Sequence, residues 1–519
     1  MIEKLLLIIL GRNRYDFING KILENNKKSI KSSKAEVVAI QTSQNIFNFI
    51  VLGLIGARIY ENYGVRTTLI DLVGVNAAVG NGLTAFIKRG RIFNWLRSRV
   101  WEKEYARHAP SVGYRSSKSV NFITSIKLFI SSVKYWQAAK SVDNFHLVHK
   151  KIQLDDLIID TYLRFKPSPK FNSKKIFTLY LIWRALSEVE KAGKFFEENS
   201  PKLYMCAQTA YIEQGVFSRV ALEKGIIVWT IGNFYKFAKN ITKNSKYDTS
   251  DSSRYRSDFK KLENKEIILQ EAEKNLLNRF RGAIDPAISY MQRSVYEAEV
   301  NKKNFYEYEV VVFLHDFYDS PHIYDDLVFQ DFWTWACVTI DTLLEIDVKF
   351  ALKPHPNQIG LSKEALMKLK LKYPSVVFLD TKINNIELTK GDLICGITMY
   401  GSISHELAYF GIPTIACAKN PHHSFGFCKT AQSIEEYKNY IKNIQKMNFD
   451  KAELKKESLE FYHMHNNNIS ENERVLRDKY IKLWRSCNVG DVNADEILGL
   501  ADELKKSTEF DEFVANIMK

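Results

Sequence analysis

The stretch that decides the fold reads VKFALKPHPNQIG over residues 348–360 and GDLICGITMYGSISHELAYFGIPTIACAKNPHHSFGF over residues 391–427. Three short apolar runs in it, VKFAL, DLICG and PTIACA, have the length and composition of buried β-strands. Each run is followed by a turn rich in polar and basic residues. In an open α/β sheet, ligands bind beyond the carboxyl ends of the strands. The three turns are therefore predicted to line one pocket, which we expect to hold a nucleotide.

Strand-like and helix-like segments alternate on both sides of this stretch. EVVAIQTS (36–43), an apolar helical run from Ile46 and a second strand near Arg66 read as one βαβ unit. A second α/β run begins at EVVVFL (309–314) and continues through the deciding stretch. Such alternation is typical of doubly wound parallel sheets. We therefore predict an α/β fold with two Rossmann-like domains that face each other across a cleft, with extra helices.

The length of 519 residues exceeds the size at which a single core stops growing, so two domains are expected. The helical and strand patterns loosen around residues 283–308. We accordingly place an N-terminal domain with helical insertions at 1–300, a C-terminal domain at 301–470 and a helical tail at 471–519.

The formal charge of +14 favours an anionic partner, which can be a nucleic acid, an anionic membrane surface or a phosphate-bearing substrate. An RNA-binding aromatic motif, a zinc finger and a basic heptad region are all missing from the sequence, so no nucleic-acid partner is expected. Peripheral membrane contact stays open, because diffuse positive charge suffices for it. The six cysteines are widely spaced, which favours buried thiols in a reducing compartment over disulfides.

The opening run MIEKLLLIILGR is too short to span a bilayer and lacks a small-residue cleavage site. The apolar run from Ile46 to Tyr60 is interrupted by Asn48 and Arg58, which favours a buried crossover helix. The expected location is the cytoplasm, with the inner face of the cell membrane as an open alternative.

The first polar turn contains Lys353, His355 and Asn357 after the strand VKFAL. Pro354 and Pro356 stiffen the backbone on both sides of the histidine. An imidazole held beside a lysine at the carboxyl end of a strand suits contact with a phosphate or sugar oxygen. A lone histidine is more often structural, but this setting favours ligand contact.

The second turn contributes Thr398, Gly401 and Ser402, with Glu406 one helical turn later. Free N–H groups at a helix amino terminus favour phosphate, while a carboxylate accepts hydrogen bonds from both hydroxyls of a ribose. The competing interpretation is that Ser402 merely caps the helix. Glu406 lies four residues after Ser402 rather than three, so a simple capping box does not explain it.

The third turn, NPHHSF, contains His422 and His423, which either close over the base or diphosphate or are surface residues. A zinc site is disfavoured because no third ligand stands at a recognisable spacing. We therefore expect no metal.

Candidate general bases are the aspartates Asp156, Asp160 and Asp316. The first two share one face of a predicted helix, where a solvated salt-bridged stripe is the competing interpretation. Asp316 follows the strand EVVVFL, and the competing interpretation is that its side chain caps the loop. Tyr211 and Arg219 are eight residues apart, which places them on the same face of a predicted helix. They are the candidate contacts for an acceptor, although such residues more often pack in the interior or cap a helix.

The motifs KPHPN and TMYGSISHELAYFGIPTIACAKNPH resemble the C-terminal half of bacterial capsule and surface-polysaccharide glycosyltransferases of the GT-B type. The His-Pro and Ser-plus-Glu elements are similar to those of Kdo transferases, sialyltransferases and teichoic-acid polymerases. The resemblance implies a nucleotide-sugar donor in the second domain, an acceptor at the first and no obligatory metal. It also implies that His355, Ser402 and Glu406 hold the donor phosphate and ribose.

These observations together predict a metal-independent glycosyltransferase with an aspartate base, no cofactor and a CMP- or UDP-sugar as donor. The expected acceptor is a growing surface polysaccharide or a lipid-linked glycan. Three alternatives stay open at this point. One is a polyol-phosphate transferase that uses a CDP-alcohol, and another is a sugar-nucleotide epimerase, which needs no acceptor. The third is a non-catalytic nucleotide-binding scaffold of a polysaccharide assembly complex.

Thermal-shift screening with CMP, UDP, GDP, ADP and CDP should identify a nucleotide that raises the melting temperature, because a ligand that binds only the folded state stabilises it. His355→Ala and Glu406→Ala are each expected to abolish that shift while leaving the fold intact. Unchanged nucleotide binding in both variants would remove this site assignment.

Overall fold

The computed structural model describes residues 37–41, 46–70, 113–115, 120–139, 145–165, 168–232, 234–289, 296, 307–325, 327–356, 360–490 and 493–519. The chain divides into two compact units. Unit 1 comprises Met1–Phe165, Asn172–Asp248 and Ser470–Lys519, and unit 2 comprises Lys166–Phe171 and Thr249–Ile469. Each unit is built on one six-stranded sheet.

The sheet of unit 1 is parallel except at one edge. Its strands are β1 (Val37–Gln41), β2 (Arg66–Ile70), β3 (Gly113–Arg115), β6 (Leu203–Cys206), β7 (Ile227–Ile231) and β8 (Ala238–Ile241). They are ordered β3-β2-β1-β6-β7-β8, and β8 alone of these pairs antiparallel to its neighbour. A two-stranded antiparallel ribbon, β4 (Val148–His149) and β5 (Ile152–Gln153), accompanies the sheet.

The helices of unit 1 cover the sheet. They span Ile46–Tyr63, Phe122–Ala139, Asp155–Phe165, Ile176–Asn199, Val216–Glu223, Glu471–Asn488, Ala494–Lys505 and Thr508–Met518, with a π-helical turn at Tyr211–Gly215. Ile46–Tyr63 is buried nearly all round, as expected for a crossover helix, and no helix among the described residues is both long and apolar enough to cross a bilayer.

The sheet of unit 2 is parallel throughout. Its strands are β9 (Val310–Phe313), β10 (Phe350–Lys353), β11 (Val377–Phe378), β12 (Cys395–Ile397), β13 (Thr414–Cys417) and β14 (Cys428–Ala431). Its helices span Tyr255–Phe259, Lys265–Phe280, Phe332–Leu343, Gly360–Lys372, Asn385–Leu388, Ile403–Tyr409, Ile434–Lys442 and Lys451–Asn466.

Strand β9 shows why helices lie on both faces of this sheet. Val310 and Val312 pack into one hydrophobic cluster, while Val311 and Phe313 pack into another. Successive side chains of a strand point to opposite faces, so a strand that is apolar at every position needs a helical layer on each side.

Both sheets have the same strand order when their strands are counted along the chain. In unit 2 the order β11-β10-β9-β12-β13-β14 is 3-2-1-4-5-6, and unit 1 repeats it. The predicted α/β class with two Rossmann-like, doubly wound sheets is confirmed. Their arrangement across a cleft stays a prediction.

The division into units differs from the boundaries predicted at residues 300 and 470. Unit 2 begins at Thr249, because the helix Lys265–Phe280 packs against Lys451–Asn466. The C-terminal residues 470–519 are not a separate tail. Leu476, Tyr480 and Phe510 are buried in the core of unit 1 together with the helix Ile46–Tyr63.

The strands that sequence analysis missed, β3, β8 and β14, lie at sheet edges. Edge strands are half solvated and carry polar residues, so their apolar pattern is weak. In β14, for example, Lys429 is exposed while Cys428 and Ala431 are buried. All six cysteines are buried free thiols, as the sequence predicts.

Candidate functional site

The strand order of unit 2 reverses between β9 and β12, and two polar side chains meet just beyond that point. His315 follows β9 and Thr398 follows β12, and His315 Nε2 lies 3.1 Å from Thr398 Oγ1. The backbone N–H of Gly401 donates to the same hydroxyl oxygen at 3.1 Å. Burial, assisted by the neighbouring His355, lowers the pKa of His315 to about 3, so its imidazole is neutral near pH 7. This is the crevice in which sheets of this type bind ligands.

Lys353 and His355 follow the adjacent strand β10. Lys353 is only 3% exposed, and its ammonium makes no hydrogen bond or ion pair with any residue that the structure describes. Burial lowers the pKa of Lys353 to about 8, although the charges of Glu406 and Asp380 act in the opposite direction. Asn357, predicted beside these two residues, lies outside the described part of the chain.

His355 is half-buried and interacts electrostatically with two of the predicted site residues. Burial lowers the pKa of His355, the charge of Asp316 opposes this shift, and the charge of Lys353 adds to it. Asp316 is itself held in place, because its Oδ1 accepts from Ser362 Oγ at 2.6 Å and from the N–H of Tyr318 at 2.9 Å. The turn after β9 and the turn after β10 therefore converge.

Ser402 and Glu406 contact each other on the helix Ile403–Tyr409. Ser402 Oγ donates to Glu406 Oε1 at 3.3 Å and makes no side-chain cap for the helix. The capping interpretation of Ser402 is therefore wrong. Glu406 is 3% exposed, and Tyr296 and Asn385 both donate to its Oε2. Both of its carboxylate oxygens thus have protein donors, which argues against the predicted ribose contact.

Arg279 is the main partner of Glu406, and sequence analysis did not identify it. Its Nε and Nη2 donate to Glu406 Oε1 at 3.1 and 2.5 Å, and its Nη1 donates to Asp285 Oδ2 at 2.9 Å. Nη2 also lies 3.4 Å from Ser402 Oγ, and Tyr462 donates to Asp285 Oδ1 at 2.5 Å. Within one unit, a single buried guanidinium joins three helices and the turn that follows Lys265–Phe280.

The pKa values of this cluster follow from burial and from the single positive charge. Burial acts to raise the pKa of Glu406, but the charge of Arg279 and the hydrogen bonds from Tyr296, Arg279 and Asn385 outweigh it and lower the pKa. For Asp285, burial prevails over the attraction of Arg279 and raises the pKa. The charge of Arg279 thus outweighs the effect of burial on the pKa of Glu406 but not on that of Asp285.

His422 lies in an aromatic environment behind the third turn. Its Nε2 lies 3.3 Å from His405 Nδ1, and its ring centroid lies 4.3 Å from that of Phe461. Burial lowers the pKa of both histidines well below the usual value. Asn420 Oδ1 accepts from the N–H of His422 at 2.8 Å, whereas His423 is more exposed. The role of His422 at a donor stays a prediction, and its burial favours packing.

In unit 1 the predicted base Asp156 and the predicted acceptor contact Arg219 pair with each other. Nη1 and Nη2 of Arg219 donate to the two carboxylate oxygens at 2.7 and 2.5 Å, and Tyr247 donates to Oδ2 at 2.7 Å. Burial opposes ionisation of Asp156, yet the charge and hydrogen bonds of Arg219 hold its pKa well below the usual range. A carboxylate with so low a pKa is a weak base.

The remaining predicted residues of unit 1 are also buried. Asp160 is 2% exposed on the same helix as Asp156, and Tyr211 is 8% exposed with its ring against Phe165. Tyr211 has a φ of +63° at the start of the π-helical turn, a backbone conformation that is uncommon for a bulky residue. Tyr211 and Arg219, the residues predicted to contact an acceptor, are therefore both buried.

A different carboxylate lies at the strand reversal of unit 1, between β1 and β6. Thr209 follows β6, and its Oγ1 donates to Asp248 Oδ1 at 3.4 Å while accepting from the N–H of Asp248 at 3.2 Å. Burial raises the pKa of Asp248. The sequence offers little signal for this residue, because Asp248 lies in the polar segment KNSKYDTSDSS, far from Thr209 along the chain.

Removal of the central cation should destabilise unit 2. We expect Arg279→Met to lower the free energy of unfolding by about 3–5 kcal/mol at pH 7, because Glu406 and Asp285 lose their shared partner. Without that charge both carboxyl groups have folded-state pKa values above the unfolded ones, so the folded state binds more protons. Stability then falls as pH rises, and the deficit should shrink between pH 7 and pH 5.

Urea unfolding monitored by far-UV circular dichroism measures this effect. Arg281→Met is the matched control, since Arg281 ends the same helix but is exposed. A deficit that is equal at both pH values would contradict the role assigned to Arg279. The same network implies that Glu406→Ala lowers stability as well as any nucleotide affinity, so the expectation of an intact fold for that variant is revised.

Within the described part of the chain, no three histidine, cysteine, aspartate or glutamate side chains are grouped as a metal site requires.

No protein-family model and no curated protein matches the chain. Solved structures are similar to it at low identity. HepE of Anabaena in complex with UDP is 12% identical, with 83% of this chain and 95% of HepE covered and a TM-score of 0.27.

Two further solved structures are similar to this chain. KpsC of Thermosulfurimonas dismutans, a beta Kdo 2,4 transferase, is 12% identical, with 50% of this chain and 79% of KpsC covered and a TM-score of 0.31. MurG of Acinetobacter baumannii is 9% identical, with 85% of this chain and 98% of MurG covered and a TM-score of 0.25. At such low TM-scores these likenesses establish no family, donor or acceptor for this chain.

Proposed function

We propose that unit 2 binds the phosphate of a nucleotide-sugar donor and that the protein transfers the sugar to a hydroxyl of a surface-polysaccharide or lipid-linked glycan. The proposal includes neither a metal nor a cofactor, and it takes a CMP- or UDP-sugar as the donor. The observation that carries it is the buried ammonium of Lys353 at the carboxyl edge of the sheet. The resemblance of KPHPN and of the Ser-plus-Glu segment to polysaccharide glycosyltransferases points in the same direction.

A buried cation without a partner is costly to keep charged, because burial removes its hydration. The pKa of about 8 for Lys353 reflects that cost. An anion bound next to it would restore the lost stabilisation and keep the amine protonated. Arg279, by contrast, already has its carboxylates within the same unit. Lys353 is therefore the cation of this region that needs an anionic ligand.

The surrounding groups suit a phosphate rather than a carboxylate ligand. Lys353 lies close enough to His355 for its charge to lower the pKa of the histidine. The pKa of His355 would rise if a phosphate dianion approached. The neutral His315 and the hydroxyl of Thr398 offer hydrogen bonds at the neighbouring strand end. Together these groups would stabilise the negative charge that builds on the leaving nucleotide as the glycosidic bond breaks.

The acceptor hydroxyl must lose a proton, and we propose Asp248 as the base that takes it. Asp248 lies at the carboxyl edge of the other sheet, where an acceptor would be placed, and burial raises its pKa toward the range useful for proton transfer. Asp316 is the alternative among the residues predicted from the sequence, since it lies near His355. Asp156 and Asp160 are weaker candidates, because both are buried and Asp156 is paired with Arg219.

Lys353→Met should weaken nucleotide binding by about 10- to 100-fold, because a charge-assisted hydrogen bond to phosphate contributes about 1.5–3 kcal/mol. The affinity of the unsubstituted protein should also fall as pH rises above about 8, where the free amine loses its proton. Isothermal titration with UDP, CMP and CDP measures both effects.

Lys349→Met is the matched control, because Lys349 precedes the same strand at its amino end and is exposed beside Glu307. Equal affinities for Lys353→Met and the unsubstituted protein would overturn the phosphate site. A phosphodiester rather than a glycoside in the product mixture would instead identify a polyol-phosphate transferase.

Asp248→Asn should reduce kcat by about 100- to 10,000-fold with nucleotide affinity unchanged, since a general base contributes on that order. In the unsubstituted enzyme kcat/KM should rise with pH through the raised pKa of Asp248, because the reaction needs the deprotonated carboxylate. The pH–rate profiles of the unsubstituted protein and of Asp248→Asn check this. Glu223→Gln is the matched control, because Glu223 is an exposed carboxylate of the same unit. An acid limb that persists in Asp248→Asn assigns the base to another residue.

A further inference from the structure

The helix Phe122–Ala139 of unit 1 presents large apolar side chains to solvent. Phe122 is 79% exposed, Ile123 67%, Ile126 45%, Phe129 45% and Ile130 52%. These positions fall at i, i+1, i+4, i+7 and i+8, so they lie on one side of the helix. We call them the outward apolar face.

The opposite side of this helix is the buried one, and it is the less hydrophobic. Its buried residues are Leu128, Ser132 and Ala139, and Ser132 Oγ donates to the carbonyl of Leu128 at 2.7 Å. A surface helix of a water-soluble domain normally buries its apolar side and exposes its polar side. The inversion indicates that the outward apolar face is covered by something in the working state of the protein.

The exposed apolar surface continues onto the neighbouring helix Ile176–Asn199. Trp183 Nε1 donates to the carbonyl of Ser125 at 3.2 Å, and the ring of Phe129 lies edge-on to Trp183 at 6.0 Å. Near the amino end of this second helix, Ile176 is 76% exposed and Tyr180 is 45% exposed. Two helices therefore contribute to one apolar surface.

The charges around this surface are positive. Residues 120–139 and 172–187 contain no aspartate or glutamate. The lysines on the two helices and the turn before the second are exposed, namely Lys127, Lys134, Lys174 and Lys175.

Carboxylates on the neighbouring elements do not cancel these charges. Glu188 pairs with Lys191 at 2.6 Å. Glu190 pairs with Lys150. The surface around the outward apolar face thus keeps an excess of lysines.

We propose that the outward apolar face and its lysines dock unit 1 on an anionic phospholipid bilayer. The apolar side chains enter the boundary between headgroups and acyl chains, and the lysines contact lipid phosphates. Tyr180 and Trp183 have the amphipathic rings that are enriched at this depth of a membrane. The helix lies in the plane of the interface and does not cross the bilayer. This inference is independent of the proposed sugar transfer, because its test measures lipid binding and not turnover.

Co-sedimentation of the full-length protein with vesicles tests the proposal. Vesicles of phosphatidylcholine with about 30% phosphatidylglycerol should bind the protein, whereas pure phosphatidylcholine should bind it much less. The triple variant Phe122→Ser, Ile126→Ser, Phe129→Ser should reduce the bound fraction about tenfold or more. Lys127→Glu with Lys134→Glu should make the remaining binding insensitive to about 0.5 M NaCl.

The matched control is the triple variant Ile267→Ser, Met367→Ser, Leu371→Ser, which removes apolar side chains that are 65%, 60% and 81% exposed in unit 2. It should bind vesicles like the unsubstituted protein. Equal binding by both triple variants, or no preference for the anionic vesicles, would overturn the proposal. A dimer in sedimentation velocity that the Phe122 triple variant alone abolishes would also overturn it, since the face would then join two copies of this chain.

Discussion

The reversal of strand order between β9 and β12 is the constraint on which the candidate site depends. In a parallel sheet every connection returns to the same edge, and where the order reverses, the connections leave to opposite sides. The turns after β9 and β12 are therefore separated enough to open a crevice, yet close enough for His315 and Thr398 to lie 3.1 Å apart. Lys353, His355 and Thr398, which we propose to contact the donor, all follow strands that end at this edge.

Two buried cations in unit 2 show how burial separates a structural charge from a functional one. Arg279 has Glu406 and Asp285 as partners, and their charges raise its pKa although burial acts to lower it. The ammonium of Lys353 has no hydrogen bond or ion pair among the residues that the structure describes, and burial lowers its pKa. Burial acts to lower the pKa of both cations, so their pKa values differ because the nearby carboxylates offset this effect for Arg279 more than for Lys353. Lys353 is therefore the group at which we propose that an anion binds, whereas Arg279 holds its own helix against Ile403–Tyr409.

Unit 1 repeats the topology of unit 2 with different chemistry at the reversal. Asp248 and Thr209 lie beyond β6, where unit 2 has Thr398 and Gly401 beyond β12. A carboxylate of raised pKa suits proton abstraction, whereas lysine and histidine suit phosphate. The same topology, present in each unit, thus carries the two kinds of group that the proposed sugar transfer requires. The outward apolar face on the helix Phe122–Ala139 adds a surface suited to lipid on the same unit.

The sequence by itself determined the class of fold and the turns that carry the candidate donor residues, because apolar periodicity and the residues at strand ends are local properties. Lys353, His355, Thr398 and Gly401 were all identified as candidates in this way. Only the tertiary structure decided which charged groups meet. Arg279 and Glu406 are 127 residues apart, and Arg219 and Asp156 are 63 apart. Such partners depend on which helix faces pack together, and no local pattern encodes that choice. For the same reason the sequence assigned Asp156 to chemistry and overlooked Asp248, and it separated residues 471–519 from the core that they complete.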